Sequence, residues 1–188
     1  MLWLQSLNLD YAFWLTISAI FILLLLSAFF SGSETALTAA SRGKLQAQAD
    51  KGSRGASRAL SITEDNERLI GSVLLGNNLV NILATSLATA LFTKLVGESS
   101  VALATLVMTV LVLIFAEVLP KTYAITNAER AAASVSAPIA LLVTILDPIV
   151  SSVRKLVRGI LWLFGVRTSA DEPLFRCFRI FEISTTER

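Results

Sequence analysis

Residues 110–123 read Val-Leu-Val-Leu-Ile-Phe-Ala-Glu-Val-Leu-Pro-Lys-Thr-Tyr, an apolar run that ends with a carboxylate and a proline. An ionised carboxylate in hydrocarbon costs roughly 3 kcal/mol on insertion scales, so Glu117 is expected to face a wet cavity, a cation or a partner charge. Pro120 lacks an N–H, so a helix should break there and leave the carbonyl of Ala116 without a partner. A carboxylate beside a freed carbonyl suits a hard cation.

The composition of the 188 residues is that of a membrane protein. Hydrophobic residues make up 54% of the chain and charged residues only 16%, and the mean hydropathy is +0.69. Three apolar runs, at 11–30, 69–92 and 101–119, each have about the 20 residues that cross the hydrocarbon core as a helix. The first run is too long for a secretory signal and follows no Lys or Arg. An all-α integral membrane protein with three transmembrane helices is therefore predicted.

The basic residues predict the orientation of the chain. Six of them crowd the connection between the first two runs: Arg42, Lys44, Lys51, Arg54, Arg58 and Arg68. Because basic loops stay inside, this connection and the basic C-terminal region are expected in the cytoplasm, with the N-terminus outside. The expected location is the inner (plasma) membrane, with an anionic inner leaflet as the lipid partner.

Several function classes are excluded by what the sequence lacks. Cys177 is the only cysteine and the chain has no histidine, so an internal disulfide and imidazole chemistry at zinc or haem are excluded. Any bound metal would have to use oxygen ligands. An enzyme is not expected, because no nucleophile and base pair is evident and the spans lack paired aspartates. A nucleic-acid partner is not expected either.

Polar interruptions predict where the helices end. Ser31-Gly32-Ser33-Glu34 is expected to break the first helix at Gly32 and, as a capping box, to start a helix at the inner surface. Residues 50–64 are expected to form an irregular cytoplasmic connection. Pro138 and Pro148 divide the apolar segment 131–149, which is therefore expected to stay on the inner side. A fourth crossing is the alternative, and it would place the basic C-terminal region outside.

An amphipathic segment follows the prolines. Arg154, Lys155 and Arg158 share one face and apolar residues cover the rest, which is typical of a helix on an anionic membrane surface, with Trp162 at headgroup level. The predicted domains are a transmembrane domain at 1–137, a juxtamembrane helical belt at 138–168 and a tail at 169–188. The tail shows no helical or strand period and is expected to be disordered or foreign to the domain.

A third polar cluster, Gly-Asn-Asn-Leu-Val-Asn, lies at 76–81 within the second run. Asn77 and Asn81 are four residues apart and share a face, while Asn78 lies about 100° around the helix. Asn77 is about 12 Å from the inner edge, which is also the expected level of Ser31 and Glu117. Carboxylate, amide, hydroxyl and backbone oxygens at one depth predict a site for Mg²⁺ or Na⁺, between which composition does not choose.

Each cluster also has a purely structural interpretation. Ser31 with Glu34 is a helix cap. The asparagines are interhelical hydrogen-bonding groups worth roughly 0.6 to 2 kcal/mol per bond. Glu117 with Lys121 is an i, i+4 ion pair at the membrane edge. All three structural interpretations would have to be correct at once for the ion site to be absent, although the three clusters lie at one depth.

Three stretches, at 31–35, 76–81 and 115–122, carry a family resemblance in their order and spacing. They read Ser-Gly-Ser-Glu-Thr, Gly-Asn-Asn-Leu-Val-Asn and Phe-Ala-Glu-Val-Leu-Pro-Lys-Thr, and they resemble the transmembrane domain shared by bacterial CorB and CorC proteins and the animal cyclin M (CNNM) magnesium transporters. The resemblance covers about 21–166 and is closest to the CorB/CorC branch. It implies a homodimer of three-helix domains with a juxtamembrane helical belt, exporting Mg²⁺ from the cytoplasm in exchange for Na⁺.

The resemblance also implies a ligand set for the Mg²⁺ that is carried. The ligands would be Ser31, Asn77 and Glu117, and the further candidates are Ser27, Gly32, Ser33, Asn78, Asn81 and the carbonyl of Ala116. Family members usually continue into paired CBS domains that bind ATP with Mg²⁺, and this chain departs from that pattern after the belt. The alternative function is a membrane-anchored Mg²⁺ sensor or regulatory scaffold that transports nothing.

Overall fold

A computed structural model describes residues 2–97 and 101–164, with side chains from residue 11 onward except that of Trp162. Within these ranges the chain is helical and contains no strand, which confirms the predicted all-α class. The helices are α1 Leu2–Ala39, α2 Arg42–Asp50, α3 Arg54–Thr63, α4 Asn66–Val96, α5 Val101–Leu111, a π-helical segment Val112–Val118, α6 Leu119–Thr126 and α7 Ala128–Leu163.

Four helices in the described ranges are long and apolar enough to cross a membrane: Tyr11–Ala39, Asn66–Val96, Val101–Thr126 and Ala128–Leu161. The first three contain the three runs predicted from the sequence, so the chain is a multi-pass membrane protein. The fourth covers the segment that was predicted to stay on the inner side. Length and composition alone therefore allow a fourth crossing.

The predicted break of the first helix at Gly32 is wrong, because α1 continues to Ala39. Two threonine hydroxyls in the last turns donate to carbonyls four residues earlier, Thr35 to Ser31 at 3.1 Å and Thr38 to Glu34 at 2.8 Å. Gly32 instead allows close packing, since a Cβ built on it would lie 3.2 Å from the Cβ of Pro120. The cost of a helical glycine, about 1 kcal/mol, is therefore outweighed by tertiary contact.

The connection between the first two membrane-length helices is more regular than predicted. The helix expected to start at Ser31 starts after Ser41, which has an extended backbone, and α3 occupies most of the segment predicted to be irregular. Ser53 caps α3 by accepting a hydrogen bond from the N–H of Ala56 at 3.3 Å. At the other end of α3, Arg42 donates to the carbonyl of Thr63 at 2.8 Å, which satisfies a group that a helix end leaves unpaired.

The prolines do not divide the last apolar segment, since Pro138 and Pro148 both lie inside α7. A proline removes one helical hydrogen bond, but packing against neighbouring helices can hold the turn in place. Pro120 likewise does not end its helix. The chain changes there from the π-helical segment to α6, with Pro120 in the first turn of α6.

Helix α7 packs against α2, α3 and α4 in turn. Near its start Glu129 pairs with Lys44 at 3.0 Å, and the carbonyl of Ala133 closely approaches Gly55. Further along, Asp147 Oδ1 lies 2.6 Å from Arg68 Nε at the beginning of α4. The sequence analysis anticipated none of these contacts.

In the part of the chain that the structure describes, buried apolar side chains form two clusters. The larger one joins α1, α2, α3, α4, α6 and α7: Phe30, Ala36, Leu37, Leu45, Ala56, Ala59, Leu69, Val73, Val80, Ala124, Ala132, Ile139 and Val143. The smaller one, Ala84, Ala88 and Met108, packs α4 against α5. The polar residues of the candidate site lie on helices held by both clusters.

Contacts divide the chain into two units, Met1–Val150 and Ser151–Arg188. In the second unit, Lys155 and Arg158 are exposed and Arg154 is half-buried. The predicted tail at 169–188 and the last residues of the predicted belt lie outside the described residues. The domain boundaries at 137 and 168 and the membrane-surface role of Arg154, Lys155 and Arg158 stay predictions.

Candidate functional site

A buried hydrogen bond joins α1 to α4 at the first candidate position. The hydroxyl of Ser27 donates to Oδ1 of Asn77 at 2.9 Å, and both residues are buried. An amide oxygen has two lone pairs and a hydroxyl keeps two after donating its hydrogen. Both oxygens can therefore still accept, or bind a cation, without breaking this bond.

Ser31 lies one turn beyond Ser27 on α1 and is fully buried. Its hydroxyl has no hydrogen-bond partner within the described part of the chain, and the hydroxyl of Ser33 has none either. An unpaired buried hydroxyl costs about 1–3 kcal/mol. Such groups are uncommon in native proteins, so Ser31 is a place where a water or a ligand would be bound.

The π-helical segment Val112–Val118 carries the carboxylate. The N–H of Leu119 donates to the carbonyl of Ile114, five residues earlier, instead of four. Short π-helical insertions are rare and occur frequently at functional sites. Pro120 follows this segment in the first turn of α6, and the freed carbonyl at Ala116 stays a prediction.

Glu117 is half-buried, with its side chain 34% exposed. Its Oε2 lies 3.6 Å from Nζ of Lys121, so the i, i+4 ion pair considered from the sequence is present. That separation is longer than a hydrogen bond, so the pair lacks the charge-assisted hydrogen bond that a closer contact would make. The carboxylate is therefore available to a competing cation.

A cavity of about 290 Å³ lies beside this carboxylate, between α4 on one side and α5 with the π-helical segment on the other. Its lining residues are Asn81, Thr85, Met108, Thr109, Val112, Leu113 and Glu117. Asn81 and Glu117 thus reach the same cavity from two different helices. The Oδ1 atom of Asn81 is buried and has no hydrogen-bond partner among the described residues.

The predicted site residues, which are the ligand candidates and the two predicted helix breaks, are brought together in pairs. Ser27 meets Asn77, Gly32 meets Pro120, and Asn81 shares the cavity with Glu117. Within the described ranges, Glu117 makes no hydrogen bond to Ser31 or Asn77. The structure therefore shows neighbouring pairs rather than one closed ligand set.

The second-tier candidates differ in their surroundings. Ser33 is buried, and Ala116 is fully buried within the π-helical segment. Asn78 is exposed, whereas Asn77 is buried, as their angular offset predicts. Within the described ranges no three His, Cys, Asp or Glu side chains cluster as a metal site, and Glu117 is the one carboxylate among the predicted ligands.

Comparison with known proteins decides the family. The sequence profile of the cyclin M transmembrane N-terminal domain (CNNM) matches residues 18–176, which is most of the chain. The protein belongs to the CNNM family. This confirms the resemblance found in the three stretches of sequence.

Individual relatives of this CNNM-family chain come from bacteria and plants. The UPF0053 inner membrane protein YfjD of Escherichia coli is 41% identical over 76% of this chain and 33% of its own length. A UPF0053 protein of Haemophilus influenzae is 34% identical over 84% of this chain and 39% of its own length. A chloroplastic DUF21 domain-containing protein of Arabidopsis thaliana is 40% identical over 80% of this chain and 23% of its own length. The chain thus spans well under half the length of these relatives.

Sequence analysis of this CNNM-family chain missed the two threonines that line the cavity. Thr85 follows Asn81 by four residues and therefore continues the face of Asn77 and Asn81. Thr109 precedes Glu117 by eight residues, which would place the two about 80° apart around an ordinary α-helix. Extending the i, i+4 spacing of the asparagines in both directions would have found Thr85, whereas the π-helical segment makes the register of Thr109 unpredictable.

Proposed function

We propose that this protein exports Mg²⁺ from the cytoplasm in exchange for Na⁺. The observation that carries the proposal is the set of buried oxygens on α1 and α4, from Ser27, Ser31 and Asn77, next to a π-helical segment that bears Glu117. Uncompensated polar groups are costly inside membrane-length helices, and they usually mark an ion pathway. Membership of the CNNM family supports the same assignment.

Ser31, Asn77 and Glu117 are the proposed Mg²⁺ ligands, with Ser27 and Asn81 beside them. Mg²⁺ takes six oxygens at about 2.1 Å and keeps several of its waters. One carboxylate neutralises only part of the charge of a divalent ion. Binding is therefore weak enough to be reversible, as transport requires.

We propose three crossings, with α7 as a belt at the cytoplasmic end of the bundle. Helix α7 starts beside Lys44 of α2, and about 20 residues later Asp147 still pairs with Arg68 in the first turn of α4. A crossing helix would advance about 30 Å over that length and approach the other end of α4. The contacts therefore favour a helix that remains near the inner surface.

The proposed location follows from the basic inner connection: the inner membrane, with the N-terminus outside and the C-terminus in the cytoplasm. The Escherichia coli relative is itself named an inner membrane protein. We also propose a homodimer. Asn78 is exposed on a membrane-spanning helix beside the exposed Leu79 and Ile82, and a second copy could supply the hydrogen-bond partner that lipid cannot.

Mg²⁺ efflux from loaded proteoliposomes tests the proposal. Glu117→Gln and Asn77→Ala should each lower efflux by about tenfold or more, because each removes a ligand worth at least about 1.4 kcal/mol. Glu64→Gln and Asn127→Ala are matched controls, since both residues are exposed and lie outside the cluster. Efflux of the parent protein should also rise with an inward Na⁺ gradient.

Two results would change the assignment. Efflux of Glu117→Gln and Asn77→Ala equal to that of the parent would remove the proposed ligands. A parent protein that binds Mg²⁺ but moves none, with metal-dependent protection of helix ends in hydrogen exchange, would favour the sensor over the transporter.

A further inference from the structure

The cavity between α4 and α5 contains polar groups that the proposed Mg²⁺ ligands leave unused. We propose that it is a binding site for a monovalent hard cation, formed by Asn81, Thr85, Thr109 and the carboxylate of Glu117. The proposal rests on the function proposed above, because it makes Glu117 common to two cation sites.

The hydroxyls of Thr85 and Thr109 can act only as hydrogen-bond acceptors or cation ligands toward the cavity. Oγ1 of Thr85 donates to the carbonyl of Asn81 at 2.9 Å, and Oγ1 of Thr109 donates to the carbonyl of Thr105 at 2.7 Å. A hydroxyl has a single hydrogen and two lone pairs. Because each hydrogen is used within its own helix, the oxygens present only lone pairs to the cavity, which suits a cation and disfavours an anion.

The size and charge of the cavity fit a partly hydrated monovalent ion. A volume of about 290 Å³ holds several waters in addition to the ion. The other lining residues, Met108, Val112 and Leu113, offer no oxygen ligand. Lys121 already lies 3.6 Å from the Glu117 carboxylate, so a monovalent ion adds one uncompensated positive charge in an apolar surrounding whereas a divalent ion adds two, which favours the monovalent ion.

Sharing Glu117 would couple the two ions. Two cations beside one carboxylate repel each other, more strongly at the low dielectric constant of a membrane interior than in water. A cation that enters the cavity therefore weakens Mg²⁺ binding at Glu117, and Mg²⁺ weakens the binding of that cation. Such reciprocal competition is the linkage that ion exchange requires.

Valine substitution of the two threonines tests the site, with Na⁺ as the probe. In Thr85→Val/Thr109→Val, the Na⁺ concentration that gives half-maximal Mg²⁺ efflux should rise about tenfold or more, since two oxygens are lost. Mg²⁺ binding without Na⁺ should stay within about twofold of the parent, because the proposed Mg²⁺ ligands are intact. Thr85→Ser, which keeps the oxygen, should retain the Na⁺ dependence of the parent.

Thr105→Val is the matched control. Thr105 lies one turn before Thr109, donates to the carbonyl of Val101 at 2.9 Å in the same way, and does not line the cavity. Its Na⁺ dependence should equal that of the parent. An unchanged Na⁺ dependence in the double variant, or efflux driven by a proton gradient instead of Na⁺, would overturn the proposal.

Binding of ²²Na⁺ to the purified protein separates this inference from the proposed function. If the parent moves no Mg²⁺, the transport proposal fails. Retention of ²²Na⁺ by the parent and by Thr105→Val, with loss in the double variant, would still support the cation site. Absence of ²²Na⁺ binding in the parent would overturn it.

Discussion

Ser27 and Ser31 lie one turn apart on α1, and they differ in what their hydroxyls contact. Ser27 donates to Asn77, whereas the buried hydroxyl of Ser31 has no partner within the described residues. Buried polar groups without a partner are uncommon in native proteins, so the unpaired hydroxyl is the better indicator of a ligand position. The paired hydroxyl positions Asn77 and thereby fixes the geometry between α1 and α4.

Alanine variants should separate these two roles. In Mg²⁺-free detergent, Ser27→Ala should lower the free energy of unfolding by about 1–3 kcal/mol, because it leaves the amide oxygen of Asn77 without its donor. Ser31→Ala should change it by less than about 0.5 kcal/mol or raise it, because no bond is lost. Thermal unfolding with and without Mg²⁺ measures both effects.

The metal-dependent part of the stability gives the second comparison. Mg²⁺ should raise the melting temperature of the parent, and Ser31→Ala should lose much of that increase, because a ligand that binds only the folded state stabilises it. Equal destabilisation by Ser27→Ala and Ser31→Ala would show that both serines act in packing alone.

At the scale of elements, the length of the apolar runs predicted the membrane-length helices. The helix breaks predicted at glycine and proline were wrong. Gly32, Pro138 and Pro148 all lie inside helices. Glycine and proline costs are local, roughly 1 to 3 kcal/mol, and tertiary packing against Pro120 and along α4 offsets them. No single-sequence pattern shows which helices will pack, so these exceptions could not be predicted.

The candidate site was predictable in its residue types and not in its pairing. The spacing of Asn77 and Asn81 and the position of Glu117 predicted oxygens at one depth, and the structure places Asn81 and Glu117 at one cavity. The π-helical segment changes the direction of every side chain after Val112. Which asparagine faces the carboxylate therefore depends on a helix register that the sequence does not specify.

The packing of α7 along the beginning of α4 can be tested by a disulfide. A Cβ built on Gly71 would lie 3.0 Å from Cγ1 of Val150, so cysteines at these two positions can reach disulfide geometry. In a Cys177→Ser background, Gly71→Cys/Val150→Cys should cross-link within one chain under mild oxidation, as measured by mass spectrometry.

A control pair distinguishes a belt from a crossing helix. Ala90 is exposed near the other end of α4, where a crossing α7 would bring residue 150. Ala90→Cys/Val150→Cys should not cross-link. Cross-linking of this pair, without cross-linking of the Gly71 pair, would contradict the proposed position of α7.

At the scale of the whole molecule, the positions of the basic residues and the contacts of α7 give two independent indications of the number of membrane crossings. The charges of the connection that includes Lys51 predict the inner side through the positive-inside rule, whereas the contacts of α7 concern packing alone. Both favour an odd number of crossings. The number of crossings decides on which side of the membrane the rest of a longer relative would continue.

Cys177, the only cysteine in the chain, reports on this topology although it lies outside the described residues. Three crossings place it on the same side as Lys51, and four crossings place it with Lys94 in the last turn of α4. In a Cys177→Ser background, Lys51→Cys and Lys94→Cys provide exposed references for the two sides. In inverted vesicles, a membrane-impermeant maleimide should label Cys177 of the parent protein and the cysteine of the Lys51→Cys variant. In right-side-out vesicles, it should label the cysteine of the Lys94→Cys variant. Labelling of Cys177 in right-side-out vesicles, as for Lys94→Cys, would establish a fourth crossing. Only a membrane-spanning α7 would place the basic segment that follows it on the outer side.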